Sequence, residues 1–297
     1  MPRLKVLCSG RQTQISWPGF FSFLITGMIF LAGLNTQELF AQGNLLITPR
    51  RVVFEGNKRT FDLSLANTGQ DTATYAISVI QIRMTDEGGF EQIEEPEPGQ
   101  KFADSFLRYF PRQVTLGPGE SQTVKIQLQR SGSLVAGEYR SHFYFRAVPK
   151  PTPLGMDNLS ATDSTAISVQ ITPVFGITIP VIIRIGESNT IVSLTDLDLS
   201  FVNDDDPVFS FTFNRTGNMS VYGDITVDYV APGGKITRVG IANGVAVYTP
   251  NNIRHFRLAL NKVEGVDYTA GTLRVIYSAP TDLKPVRYAE AELTLQR

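Results

Sequence analysis

The stretch FDLSLANTGQDTATYAISV (residues 61–79) recurs later in the chain as FSFTFNRTGNMSVYGDITV (residues 209–227). Each copy has an alternating apolar run, an Asn, a Thr-Gly turn, a Tyr and a second alternating run. Alternation with period two puts apolar side chains on one face of a strand and polar ones on the other. Two more segments repeat in the same order: PGESQTVKIQL (118–128) with PNNIRHFRLAL (250–260), and VAGEYR (135–140) with TAGTLR (269–274). The last pair open strands that end in Ala-Val-Pro (147–149) and Ala-Pro (279–280). This ordered repetition predicts two tandem copies of one unit.

No apolar period of 3.6 is sustained after residue 42, so the chain reads as all-β. Strands are expected over residues 45–54, 61–67, 75–84, 122–129 and 139–148. The acidic, proline-bearing segment 86–106 reads as a solvated loop. Short strands with frequent turn signals and about 100 residues per copy fit an immunoglobulin-like β-sandwich. Two such sandwiches are expected, over residues 42–185 and 186–297, with the hinge near IGESNT (185–190). A single large barrel is the alternative architecture. Tyr139, after Gly137 and Glu138, has the placing of a tyrosine corner.

Residues 1–41 form a different kind of segment. Arg3, Lys5 and Arg11 precede the apolar run FFSFLITGMIFLAGL (20–34), and the polar NTQELFAQ (35–42) follows. This reads as a signal peptide cut after Ala41, since the run is shorter than the ~20 residues that span a bilayer. An uncleaved anchor is the other reading. Removing residues 1–41 leaves 24 Lys+Arg (27 less three) against 27 Asp+Glu (28 less one), a net charge near −3. That balance offers no general attraction to nucleic acid or anionic lipid. Cys8 and Trp17 leave with the segment, so the mature chain has neither thiol nor disulfide.

The longest greasy stretch, STAISVQITPVFGITIPVIIR (164–184), alternates like a strand yet carries Pro173 and Pro180. Proline donates no backbone hydrogen bond, so it fits an edge strand and not a central one. An apolar edge left open invites pairing with another chain.

Taken in order, several segments resemble the periplasmic chaperones of the chaperone–usher pilus pathway (PapD-like). The resemblance covers roughly residues 44–185. It rests on LITPRRVVF (46–54), where an arginine precedes apolar residues, and on FDLSLANTG (61–69) and YFPRQVTLGPGESQTVKIQL (109–128). It continues through FYFRAVP (143–149), a long loop (150–165) and the 164–184 strand. The resemblance implies export to the periplasm and ATP-independent capping of pilus or fimbrial subunits by donation of an edge strand. An outer-membrane usher would be the recipient. Ile167, Val169 and Ile171 would be the apolar plugs on one side of the donated strand, with Ser168, Gln170 and Thr172 on the other. Ordinary packing of Ile167, Val169 and Ile171 into their own core is the other reading. The residues expected to close the strand into the domain's own core are Phe175, Ile177 and Ile179.

The family also grips the subunit's terminal carboxylate with a cleft arginine and lysine, and Arg51 matches the arginine; an ordinary surface arginine at a strand edge is the other reading. Around 175–178, where the lysine is expected, stand Phe175, Gly176, Ile177 and Thr178. Arg146 and Arg184 are the cations that could substitute.

Other signals point to structure. His142 alternates with aromatic residues and reads as structural, and NDDDP (203–207) reads as a solvated turn without the spacing of a calcium loop. The sequons at Asn158, Asn214 and Asn218 have meaning only in a glycosylating host, and Asn214 and Asn218 suit a turn. No nucleophile–base constellation, phosphate-binding glycine loop or carboxylate pair stands out, so no enzyme, cofactor, metal or small-molecule substrate is expected. A non-catalytic structural or adhesive envelope protein is the alternative to a chaperone.

Overall fold

The computed structural model describes residues 44–129, 132, 134–149, 174–203, 205–280 and 286–296. The first half runs through β1 (Leu45–Thr48), β2 (Val52–Phe54), β3 (Thr60–Asn67), β4 (Ala73–Met84) and β5 (Phe90–Ile93). It continues with β6 (Leu107–Phe110), β7 (Gln113–Leu116), β8 (Ser121–Leu128), β9 (Gly137–Val148) and β10 (Gly176–Ile185). The second half comprises β11 (Ile191–Val202), β12 (Asp206–Thr216), β13 (Val221–Val230), β14 (Ile236–Val247), β15 (Ile253–Ala259), β16 (Ala270–Ser278) and β17 (Arg287–Gln296).

The chain is all-β and forms two immunoglobulin-like sandwiches. In the first, the sheet β1-β3-β8-β6 packs on the sheet β2-β10-β9-β4-β5, to which β7 adds beside β4. In the second, β11-β12-β15 packs on β14-β13-β16-β17. The sequence repeat is a repeat of pairing. The strands β3 and β12 each pair antiparallel with β8 and β15 respectively, and β4 and β13 with β9 and β16. The last strands, β10 and β17, lie antiparallel to β9 and β16.

Alternation explains the cores. One face of each strand contributes to a cluster holding Phe54, Leu63, Leu65, Phe143, Phe145 and Ile183 in the first sandwich. Phe209, Phe213, Val275 and Tyr277 sit in the second. Burying one such aliphatic or aromatic side chain is worth about 1.5–3 kcal/mol, so these clusters supply most of the driving force. The Tyr139 hydroxyl donates to the Val135 carbonyl (3.2 Å) and accepts from its N–H (3.1 Å), tying the entry to β9 as a tyrosine corner does.

Three expectations need correction. Residues 45–54 are not one strand: β1 pairs with β3, the chain turns at the cis Thr48–Pro49 bond, and β2 pairs parallel with β10 in the other sheet. The segment 86–106 is not simply a solvated loop. It contains β5 and buries Gln100 and Ala103, because the Gln100 side-chain amide donates to the Ile82 carbonyl and the Ala103 N–H to Ser141 Oγ. Phe175 lies outside the core at 50 % exposed, whereas Ile179 is buried and Ile177 packs partly against the core.

Candidate functional site

The outer side of β10 is where Pro180 becomes intelligible. The Ala147 N–H donates to the Phe175 carbonyl (3.0 Å), which fixes the hydrogen-bonded pairs between β9 and β10 at the odd-numbered residues of β10. The backbone groups of Gly176, Thr178 and Pro180 therefore point away from β9. On that side β2 pairs only with Val181, Ile182 and Ile183. Among the described residues no strand covers 176–180, so Pro180 removes no ladder hydrogen bond. Gly176 is required here by its neighbour: an added Cβ would lie 2.2 Å from the Tyr144 ring, which rests on the backbone.

The opposite alternation of β9 builds a polar face. Tyr139, Phe143 and Phe145 enter the core, so Glu138, Arg140, His142, Tyr144 and Arg146 share the outer face of the sheet. Burial falls along that row. Glu138, Arg140 and His142 are buried, Tyr144 is half-buried and Arg146 is exposed. The second sandwich covers the buried end, where Met84 and Ile182 cluster with Ala246 and Tyr248, and Val53 and Tyr222 pack against them.

Within this junction Glu138 is fully satisfied. Its carboxylate accepts from the Ser220 N–H (3.1 Å), Ser220 Oγ (2.7 Å), Thr249 Oγ1 (3.3 Å) and Arg184 Nε (3.1 Å). Arg184 also donates to the Ser220 carbonyl (2.8 Å). Arg140 is different. Its Nη2 donates to the Thr249 carbonyl (3.1 Å) and its guanidinium lies 4.4 Å from the centre of the Tyr248 ring. Its Nε and Nη1 are buried without a hydrogen-bond partner among the described residues, as is Nη1 of Arg51. Arg51 stands over Tyr222 (4.4 Å) and at 5.7 Å from the Tyr248 ring. Two cations thus flank one phenol with unused donors. Burial, reinforced by Arg51, pulls the Arg140 guanidinium below its ordinary value even though Tyr248 and Glu138 oppose the shift. Burial and the Arg140 charge together lower His142 to about 3, so its imidazole is neutral at physiological pH.

The hairpin between β4 and β5 also meets the second sandwich. The Asp86 carbonyl accepts from the His255 N–H (2.7 Å), and its carboxylate from Asn251 Nδ2 (3.0 Å). Gly88 sits against Arg254 with φ +81, where a side chain would clash as well as strain the turn. A groove of about 390 Å³ lies beside it, lined by Arg83, Asp86, Glu97 and Pro250. Its arginine is already paired with Glu91 (2.5 Å) and Glu97 (3.2 Å).

Of the sequence candidates, Arg51 is described and lies at the junction. Ile167, Val169 and Ile171 lie outside the described residues, as do Asn158 and the segment 1–41. Arg184 is engaged by Glu138, and Arg146 is exposed away from the junction. The residue that sequence reasoning missed is Arg140, the cross-strand partner of Ile182. A signal was present: Glu138, Arg140 and His142 at every second position place ionisable groups on one face of an otherwise aromatic strand. The acidic turn at 203–207 is held by Lys262, whose Nζ lies 2.5 Å from Asp205 and 2.9 Å from Asp206. Asn218 Nδ2 donates to the Glu187 carbonyl (2.9 Å).

No family model matches this chain, and no curated protein matches it. Among solved structures it is similar to the YadV chaperone, at 13% identity and a TM-score of 0.41, covering 85% of this chain and 100% of that one. It is similar to the CupB2 chaperone of Pseudomonas aeruginosa, at 14% identity and a TM-score of 0.39, covering 84% and 100%. A third is the CsuC–CsuE chaperone–tip adhesion subunit pre-assembly complex from archaic chaperone-usher Csu pili of Acinetobacter baumannii. That likeness has 13% identity and a TM-score of 0.39, and covers 72% of this chain and 90% of the other. The first two structures are of chaperones, and the third is of a chaperone in complex with a tip adhesion subunit. The assignment of two sandwiches rests on the strand pairing itself.

Proposed function

We propose that this protein is an exported, non-catalytic chaperone that holds pilus-type subunits by lending them an edge strand. The observation that carries the reading is that no described strand covers the outer side of β10 over residues 176–180. They lie in a stretch, residues 164–183, that has no charged side chain. A subunit whose own sandwich lacks a strand gains backbone hydrogen bonds along such an edge. It also gains Ile167, Val169 and Ile171 as plugs, each worth about 1.5–3 kcal/mol when buried. Arg51 and Arg140 supply the charged end of the site. Two guanidinium groups with unused donors suit a planar carboxylate, here the subunit's C-terminus. Residues 1–41 serve as the signal that delivers the chain to the periplasm, and an usher receives the loaded complex.

The test replaces Ile167 and Ile171 together with Asp and measures capture of a pilus-type subunit that lacks its complementing strand. The wild-type chain is expected to form a one-to-one complex by light scattering. The double variant should lose at least about a hundredfold in affinity, the equivalent of two lost aliphatic contacts, with its own unfolding midpoint unchanged. Capture that survives the double change overturns strand donation and leaves a structural or adhesive module as the reading.

A further inference from the structure

We propose that Tyr248, carried by the second sandwich, is a gate over the Arg51–Arg140 pair, and that a carboxylate engages the two guanidinium groups only when this ring leaves them. The inference rests on the proposed carboxylate anchor and adds its regulation. Arg140 is 2 % exposed, so a ligand cannot reach it in the described arrangement. What lies on it is the segment Tyr248–Thr249: the ring at 4.4 Å from the guanidinium and the Thr249 carbonyl at 3.1 Å from Nη2. The ring face attracts both cations but accepts no directed hydrogen bond from the three buried donors, Arg51 Nη1, Arg140 Nε and Arg140 Nη1. A carboxylate offers two oxygens in the plane those donors need. Ring and carboxylate therefore compete for the same charges, and the carboxylate leaves fewer buried donors orphaned.

Tyr248 is placed to move. It belongs to neither main core but to the small junction cluster with Met84, Ile182 and Ala246. Phe90, 56 % exposed, lies with its ring 6.3 Å from that of Tyr248 and 6.2 Å from that of His142, and marks the solvent side of the cluster. The second sandwich thereby acquires a role. It closes the charged end of the site while no subunit is bound, and it registers occupancy when the ring is expelled.

The probe is acetate, against acetamide as its uncharged isostere, at constant ionic strength. In a chain carrying Trp17→Phe and Tyr248→Trp, position 248 holds the only indole. Acetate should shift its emission to the red in a saturable way while acetamide leaves it unchanged. In the Tyr248→Ala chain, acetate affinity read from the arginine Nε–H resonances should rise at least tenfold over wild type. The tryptophan variant keeps a bulky ring in place and carries the test if the alanine variant fails to unfold cooperatively. Acetate that perturbs the Arg140 Nε–H resonance without moving the indole overturns the gate and leaves the anchor standing. Acetate that perturbs neither, in any variant, overturns gate and anchor together.

Discussion

The two sandwiches share one pairing plan, yet their last strands treat the edge in opposite ways. The strand β17 pairs with β16 along its length and carries Arg287, Glu290 and Glu292. Charges on an edge discourage further strands from adding, because each would have to be desolvated. The strand β10 occupies the matching place, and its uncovered part, 176–180, has no charge at all. One copy of the fold carries charges along its last edge, and in the other no described strand covers residues 176–180. The neighbouring strands differ as well. On the outer face of β16, Arg274 lies within 3.9 Å of both Asp228 and Glu290, and Arg238 and Arg287 also pair with those two acids. On the matching face of β9, Glu138, Arg140 and His142 are buried beneath the other sandwich.

The contrast can be broken most strongly at the buried face. Glu138→Ala leaves Arg184 Nε and the Ser220 and Thr249 donors without their acceptor, and is expected to destabilise the chain by about 3–5 kcal/mol in urea unfolding. Arg274→Ala, at the matching face of the other copy, should change stability by less than about 1 kcal/mol, because Asp228 keeps Arg238 and Glu290 keeps Arg287 as partners. Equal effects would erase the distinction between the two faces.

The pH dependence is next in size. His142 titrates at about 3 in the folded chain against an ordinary 6.5, so the unfolded chain binds the proton more readily. Stability is then complete above about pH 6.5 and is lost as pH falls from there toward 3. Between pH 7 and 5 this one group should remove about 2 kcal/mol, and His142→Gln should flatten that part of the profile. The smallest effect on stability belongs to the guarded edge. Replacing Glu290 and Glu292 with Thr should alter unfolding by less than about 0.5 kcal/mol. It should nevertheless promote self-association, detected by sedimentation, if those charges are what keeps β17 from pairing.

Much of the architecture was legible before any coordinates. The repeat of residues 61–79 in 209–227 corresponds to β3–β4 and β12–β13, which cross between sheets in the same sense. The prolines at 173 and 180 spoke of an uncovered edge, and Pro180 indeed lies beyond the reach of β2. The break at Thr48–Pro49 was not legible, since LLIT and VVF both look like strand and nothing in their alternation says that they join different sheets. Phe175 was misread because continuing an alternation beyond the region where both sheets overlap places a side chain over water. The lysine absent from 175–178 seemed to leave a gap in the site. Arg140 does not stand opposite those positions but pairs across the strands with Ile182, a relation set by register between residues far apart in sequence.

By itself the sequence determined the strand content, the two-fold repetition, the uncharged stretch before Arg184 and the presence of Arg51, because these follow from local periodicity and residue type. Only the tertiary structure decided that Glu138, Arg140 and His142 are buried, and that Tyr248 lies near two guanidinium groups. Burial of a strand's outer face depends on what a second domain lays upon it, and no single strand's pattern encodes that neighbour.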